Sequence, residues 1–170
     1  MRREHMRLSA FSVATAIAAL VFTAGTVFAA VTWHSGPTFT QNGTGVSSTF
    51  TATGDGSGFG NQPAIATIVL GGTVRYTCQN KGGNQAPGQN PVPATTTGSQ
   101  DLGNADHNGR GVLNLTVGPI TASSTVSGKT AGCPNGNWSG VNPVFEGGLT
   151  ATLTITQGGK LIFGPVTINY

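Results

Sequence analysis

The chain has 170 residues, eight Lys/Arg against five Asp/Glu, and 27 glycines. Three of the basic residues fall within the first seven positions. Beyond position 29 only Arg75, Lys81, Arg110, Lys129 and Lys160 face Asp55, Asp101, Asp106 and Glu146, which is five against four and a net charge of +1. A charge this small and this scattered excludes the basic footprint of a nucleic-acid binder, so no nucleic-acid partner is expected.

Arg2, Arg3 and Arg7 precede an apolar run from Leu8 to Val27, and Val27-Phe28-Ala29 sets compact residues at the −3 and −1 positions of a cleavage site. This pattern predicts a signal peptide over 1–29 and a secreted domain over 30–170. The run is long enough to be an uncleaved anchor, but Gly25 and the cleavage triplet favour removal, leaving no membrane association after cleavage. Glu4-His5 departs from a twin-arginine signal and fits general secretion. The remaining residues, about 140 of them, suit one domain with one core.

In chain order, Thr38–Gln41 and Thr44–Ala52 flank Asn42-Gly43, a hairpin signal that turns Val46, Phe50 and Ala52 inward. Asp55–Asn61 is rich in oxygen and glycine but lacks the second acidic ligand and the closing glutamate of an EF-hand loop. It reads as a turn before Ala64. Gly71-Gly72 predicts a second hairpin joining Ala64–Leu70 to Thr73–Asn80. Pairing Leu70 with Thr73 would put Ile65, Thr67 and Val69 on the face of Val74, Tyr76 and Cys78, the apolar side, as for an intersheet disulfide.

Lys81–Arg110 is a long polar stretch with only Val92–Thr97 as a short strand. A connection of this length is either a flexible insertion or a binding loop. Asn84, Gln85, Asn90, Asp101, Asp106 and His107 are its candidate ligand-contacting residues. Val112–Val117 alternates through Leu113, Leu115 and Val117, and Ser123–Gly128 is a weaker strand.

The last 22 residues show the clearest period of two. Leu149, Ala151, Leu153 and Ile155 face one way, and Thr150, Thr152, Thr154 and Thr156 the other. Gly158-Gly159 supplies the turn. Pairing Gln157 with Lys160 predicts Ile155 opposite Ile162, Ala151 opposite Val166 and Leu149 opposite Ile168, with Tyr170 on the same apolar face. Pro165 marks an edge or a bulge. An exposed threonine face along an edge strand would offer a route to self-association.

Seven to nine such strands predict an all-β, antiparallel β-sandwich of immunoglobulin-like general architecture, with a closed barrel as the alternative. Neither Trp33 nor Trp138 lies between the two cysteines, unlike true immunoglobulin domains. Cys78 and Cys133 are an even pair in an exported chain and predict one disulfide. His34 and His107 add no recognisable metal-ligand spacing, so no metal and no cofactor are expected.

No catalytic residue stands out. Asp55 and Phe59 replace the glycines that a Gly-x-Ser-x-Gly motif would need around Ser57. Asp106-His107 carries no triad geometry by adjacency alone. Asp101, Asp106 and Glu146 are the material for a glycosidase pair. Trp138, five residues after Cys133, is expected to pack over the disulfide. Asn42, Asn114 and Asn137 match the glycosylation acceptor pattern, which matters in a eukaryotic secretory pathway.

Tyr76-Thr-Cys78-Gln-Asn80-Lys-Gly82-Gly83, followed fifty residues later by Cys133-Pro134-Asn135-Gly136, resembles a group of small secreted actinobacterial β-domain proteins. The resemblance implies a secreted, disulfide-bonded β domain and assigns no activity. The expected function is therefore a non-enzymatic extracellular component that binds or builds a surface or matrix, with an extracellular partner or a glycan as ligand. The rival is a secreted polysaccharide-acting hydrolase or a carbohydrate-binding module.

Overall fold

A computed structural model describes residues 31–44, 47–60, 62–103 and 109–170. The leader at 1–29, together with Val46, Asn61, Asp106 and His107, lies outside the described residues. These contain nine strands in two sheets, with one short helix. The smaller sheet is β1 (Thr32–Asn42), β2 (Thr49–Ser57) and β6 (Gly111–Val117), in the order β1-β2-β6. The larger is built on two long strands paired side by side, β3 (Ala64–Asn80) and β8 (Trp138–Gln157). Each long strand has two shorter neighbours on its outer edge. β5 (Val92–Asp101) and β4 (Gln85–Pro87) flank β3, and β7 (Thr125–Ser127) and β9 (Lys160–Asn169) flank β8. The sandwich architecture follows.

The core forms where the inner faces meet. Phe50 and Ala52 from β2 and Leu113, Leu115 and Val117 from β6 face Ala66, Ile68, Leu70, Leu153 and Ile155 of the large sheet, all buried. The alternation expected for β6 and for Leu149–Ile155 holds. On β8 the threonines at 150, 152, 154 and 156 stay partly exposed on the other face.

The Gly71-Gly72 hairpin does not form. Every even position from Ala64 to Cys78 points inward, in one unbroken period of two. The predicted turn would have reversed the phase, so Ile65, Thr67 and Val69 face outward rather than into the core. Gly72 serves a packing purpose: a Cβ there would stand 2.7 Å from the Phe145 ring. The strand bends here instead of turning, through register shifts against β8 between Gly71 and Thr77.

Three further expectations need correction. The Lys81–Arg110 stretch holds two strands rather than one short one, because β5 pairs with β3 from Ile65 to Val74 and β4 pairs with its end. In the final hairpin Gln157 does oppose Lys160, but two register shifts place Phe163 opposite Ile155, Val166 opposite Leu153 and Ile168 opposite Ala151. Pro165 lies within the second shift, as a proline that cannot donate to a ladder should. Tyr170 is 45% exposed rather than inward. The Asn42-Gly43 signal does join β1 to β2, with Asn42 opposite Thr49, so the connection is longer than two residues.

The two open sides of the sandwich are closed differently. On one, Trp33 of β1 meets Phe163 of β9 edge-on at 5.2 Å, and Phe50 meets Tyr170 at 4.7 Å. Gly54 makes room for the Trp33 ring, since a Cβ would lie 2.6 Å from it. Asp55–Ser57, the start of the glycine-rich segment read as a turn, belong to β2. On the other side, Gln100 of β5 supplies the hydrogen bonds of a missing strand to the edge of β6. Its Nε2 donates to Val112 O at 3.1 Å, and its Oε1 accepts from Asn114 N at 2.8 Å. Gly98 packs directly under Val117.

Candidate functional site

Two polar depressions lie at opposite ends of β3. The first is at the Asn80 end and is built from two turns that repeat one design. In Cys78-Gln79-Asn80, the Asn80 Oδ1 accepts from Gly82 N at 2.9 Å and Asn84 N at 3.0 Å. In Cys133-Pro134-Asn135, the Asn135 Oδ1 accepts from Asn137 N at 3.0 Å. Asparagine favours such turns because its side chain replaces a backbone acceptor two residues on. Each turn starts two residues after a cysteine, and the Cys78–Cys133 disulfide, with Cα atoms 5.6 Å apart, ties the two together.

The disulfide thus forms as expected, but it does not connect the two sheets. Cys133 follows the helix α1 (Gly128–Ala131) and is delivered by local bonds. Ser127 caps that helix by accepting from Thr130 N at 3.1 Å. Gly132 ends it in the left-handed conformation, with φ 69°. Cys133 N then donates to Gly128 O at 2.7 Å. Gly128 approaches Trp138 so closely that a Cβ would stand 2.3 Å from the Trp138 carbonyl oxygen.

Trp138 opens β8 directly opposite Asn80. It is half-buried against the core and also lines the depression, of about 480 Å³, with Asn80, Lys81, Gly82, Asn135 and Asn137. Lys81 is exposed and has no ion-pair partner among the described residues. Asn80 and Asn135 spend their Oδ1 atoms on the turns, which leaves their Nδ2 hydrogens outside those bonds. No carboxylate among the described residues contributes to this surface. It combines one aromatic ring with N–H donors and a cation.

The second depression, about 440 Å³, is lined by Asp55, Gln100, Asp101, Leu102, Arg110 and Val112. Two of its three charges pair: Arg110 Nη2 donates to Asp55 Oδ2 at 2.5 Å. Asp101 Oδ1 accepts from Gly103 N at 2.8 Å and so holds the end of β5.

The sequence-derived ligand residues are not gathered together. Asn84 and Gln85 lie beside the Asn80 turn, Gln85 in β4 opposite Gln79. Asn90 is tied to α1, with N donating to Ala131 O at 3.2 Å and Nδ2 facing the Lys129 and Thr130 carbonyls. Asp101 is at the far end of β3, opposite Ile65. Of the carboxylates considered for a hydrolase, Asp101 and Glu146 line separate depressions. Glu146 accepts from Arg75 Nε at 2.5 Å, and this bond holds the guanidinium above its ordinary pKa. Arg75 also donates to the Gly88 and Gln89 carbonyls.

The residues missed by sequence reasoning are Asn80, Lys81, Asn135 and Asn137. Their signal was present as two Cys-x-Asn segments in a chain whose two cysteines pair. Among the described residues no three His, Cys, Asp or Glu side chains group as metal ligands, and no helix is long and apolar enough to cross a membrane. Comparison with protein-family models, curated proteins and solved structures finds no match.

Proposed function

We propose that this chain is a secreted, non-enzymatic binding protein that attaches to an extracellular surface or matrix polymer through the Trp138 depression. The observation that carries this reading is a half-buried tryptophan set among asparagine amides on two turns that a disulfide locks together. A rigid aromatic body with fixed polar neighbours is the economical way to hold a ligand that has both apolar and hydroxylated faces. The described acids are occupied elsewhere, Asp55 and Glu146 by arginines and Asp101 by a turn. The predicted leader and the disulfide agree with an oxidising, extracellular setting. A screen of the purified protein against glycans and cell-wall fractions tests the reading. Binding that Trp138→Ala abolishes in a variant with unchanged thermal stability supports it, and binding unaffected by Trp138→Ala defeats it.

A further inference from the structure

We infer, on the reading just given, that the Trp138 depression selects a carboxylated saccharide. The lining offers amide N–H donors and one cation beside the Trp138 ring, and Asn137 brings an amide oxygen as well. Asn80 and Asn135 have their acceptor oxygens engaged in turns at 2.9–3.0 Å. Lys81 projects from the first turn as an exposed cation without an ion-pair partner among the described residues. No acidic side chain among the described residues lines the surface.

The contrast with the molecule's arginines gives this weight. Arg75 and Arg110 each meet a carboxylate of the same chain, whereas Lys81 stands beside a tryptophan and two amide donors. A neutral sugar would use the ring and the amides and meet the ammonium only through neutral oxygen acceptors. A carboxylate on a pyranose uses all three, with the ring face on Trp138 and the anion among the N–H donors. Charge-assisted bonds of that kind are about twice as strong as neutral ones. An acidic peptide would satisfy Lys81 but has no flat ring face to offer Trp138. The depression is open and of saccharide size, about 480 Å³, and its walls are cross-linked, so little ordering is needed on binding.

Isothermal titration of the purified protein with oligogalacturonate, its methyl ester and poly-glutamate decides the question. The ester keeps every ring and removes the charge, and poly-glutamate keeps the charge and removes the rings. Oligogalacturonate should bind at least about tenfold more tightly than either, a difference of one strong interaction. Its affinity should fall with added salt. Lys81→Ala should erase the preference over the ester, and Trp138→Phe should weaken both ligands together. Equal binding of acid and ester overturns the charge selection while leaving the Trp138 site intact. Preference for poly-glutamate overturns the saccharide assignment. Binding of none of the three by a folded protein overturns the inference. Failure of the separate glycan and cell-wall screen as well would take the underlying reading with it.

Discussion

The two ends of β3 carry depressions of nearly equal size and opposite chemistry. At the Ile65 end, Asp55 and Arg110 meet at 2.5 Å and Asp101 closes a turn. At the Asn80 end there is no carboxylate, and Lys81 stands without an ion-pair partner among the described residues. A strand of 17 residues separates them by roughly 50 Å at about 3.3 Å per residue. The first end holds its charges for the fold, and the second leaves them for something else. The cross-links follow the same division, because the disulfide joins the turns of the Asn80 end alone.

Removing the disulfide is the strongest way to break this asymmetry. Cys78→Ala with Cys133→Ala should destabilise the protein by about 4 kcal/mol, the chain-entropy figure for a loop of 55 residues. Denaturant unfolding measures the loss. Ligand binding at Trp138 should weaken beyond what the unfolded fraction explains, since the two Cys-x-Asn turns are then free to separate. The core between the ends provides the control. Leu153→Ala or Ile155→Ala, each fully buried, should cost about 2–5 kcal/mol, without altering affinity in the folded fraction. Thr152→Ala, on the outer face of the same strand and bonded to Thr167 at 2.9 Å, should cost under about 1 kcal/mol.

Two glycines sharpen the picture within the Asn80 end. Gly128→Ala would force a methyl to within 2.3 Å of the Trp138 carbonyl, a backbone atom that cannot swing away. It should cost about 1–3 kcal/mol and displace Trp138, which binding and tryptophan fluorescence would both report. Gly136 has nothing within 4 Å of its added Cβ, so Gly136→Ala should change stability by under about 0.5 kcal/mol. At the opposite end, Asp55→Asn breaks a partly exposed pair and should cost under about 1 kcal/mol, with no effect on ligand affinity.

The parts of this fold legible in the sequence were those decided by local pattern. The alternation in Leu149–Ile155 and in Val112–Val117 specified buried faces directly, and the disulfide followed from an even cysteine count behind an expected leader. What failed was glycine. Gly71-Gly72 and Gly158-Gly159 look alike as dipeptides, yet only the second turns. Gly158 and Gly159 take φ of 55° and 76°, whereas Gly72 stays extended to make room for Phe145. That partner lies 73 positions away, where a local pattern holds no record of it. The even-numbered apolar series Ala64, Ala66, Ile68, Leu70, Val74, Tyr76, Cys78 was the better guide, because a hairpin would have broken its phase. The site was hidden for a similar reason. Asn80 and Asn135 are ordinary turn residues until the disulfide brings their turns together, and the polar stretch from Lys81 to Arg110 gives ten of its residues to a flanking strand of the large sheet.

The smallest effect concerns the seam between the sheets, away from either end. Tyr170 follows β9, where its N donates to Leu149 O at 2.9 Å and its ring leans on Phe50 at 4.7 Å. Desolvation by this packing raises its pKa above the ordinary value of 10.0, because burial penalises the phenolate. In the alkaline range the folded protein therefore keeps a proton that the unfolded chain has released. The associated stability is fully present below the unfolded pKa and is lost as pH rises through the folded one. Tyr170→Phe retains the ring and removes the titration. Denaturant midpoints at about pH 8 and about pH 11 should fall more for the wild type than for the variant, while the titrations common to both cancel. An equal fall would mean that the phenolate is as well solvated in the seam as in the unfolded chain, and that the contact with Phe50 shields only the ring carbons.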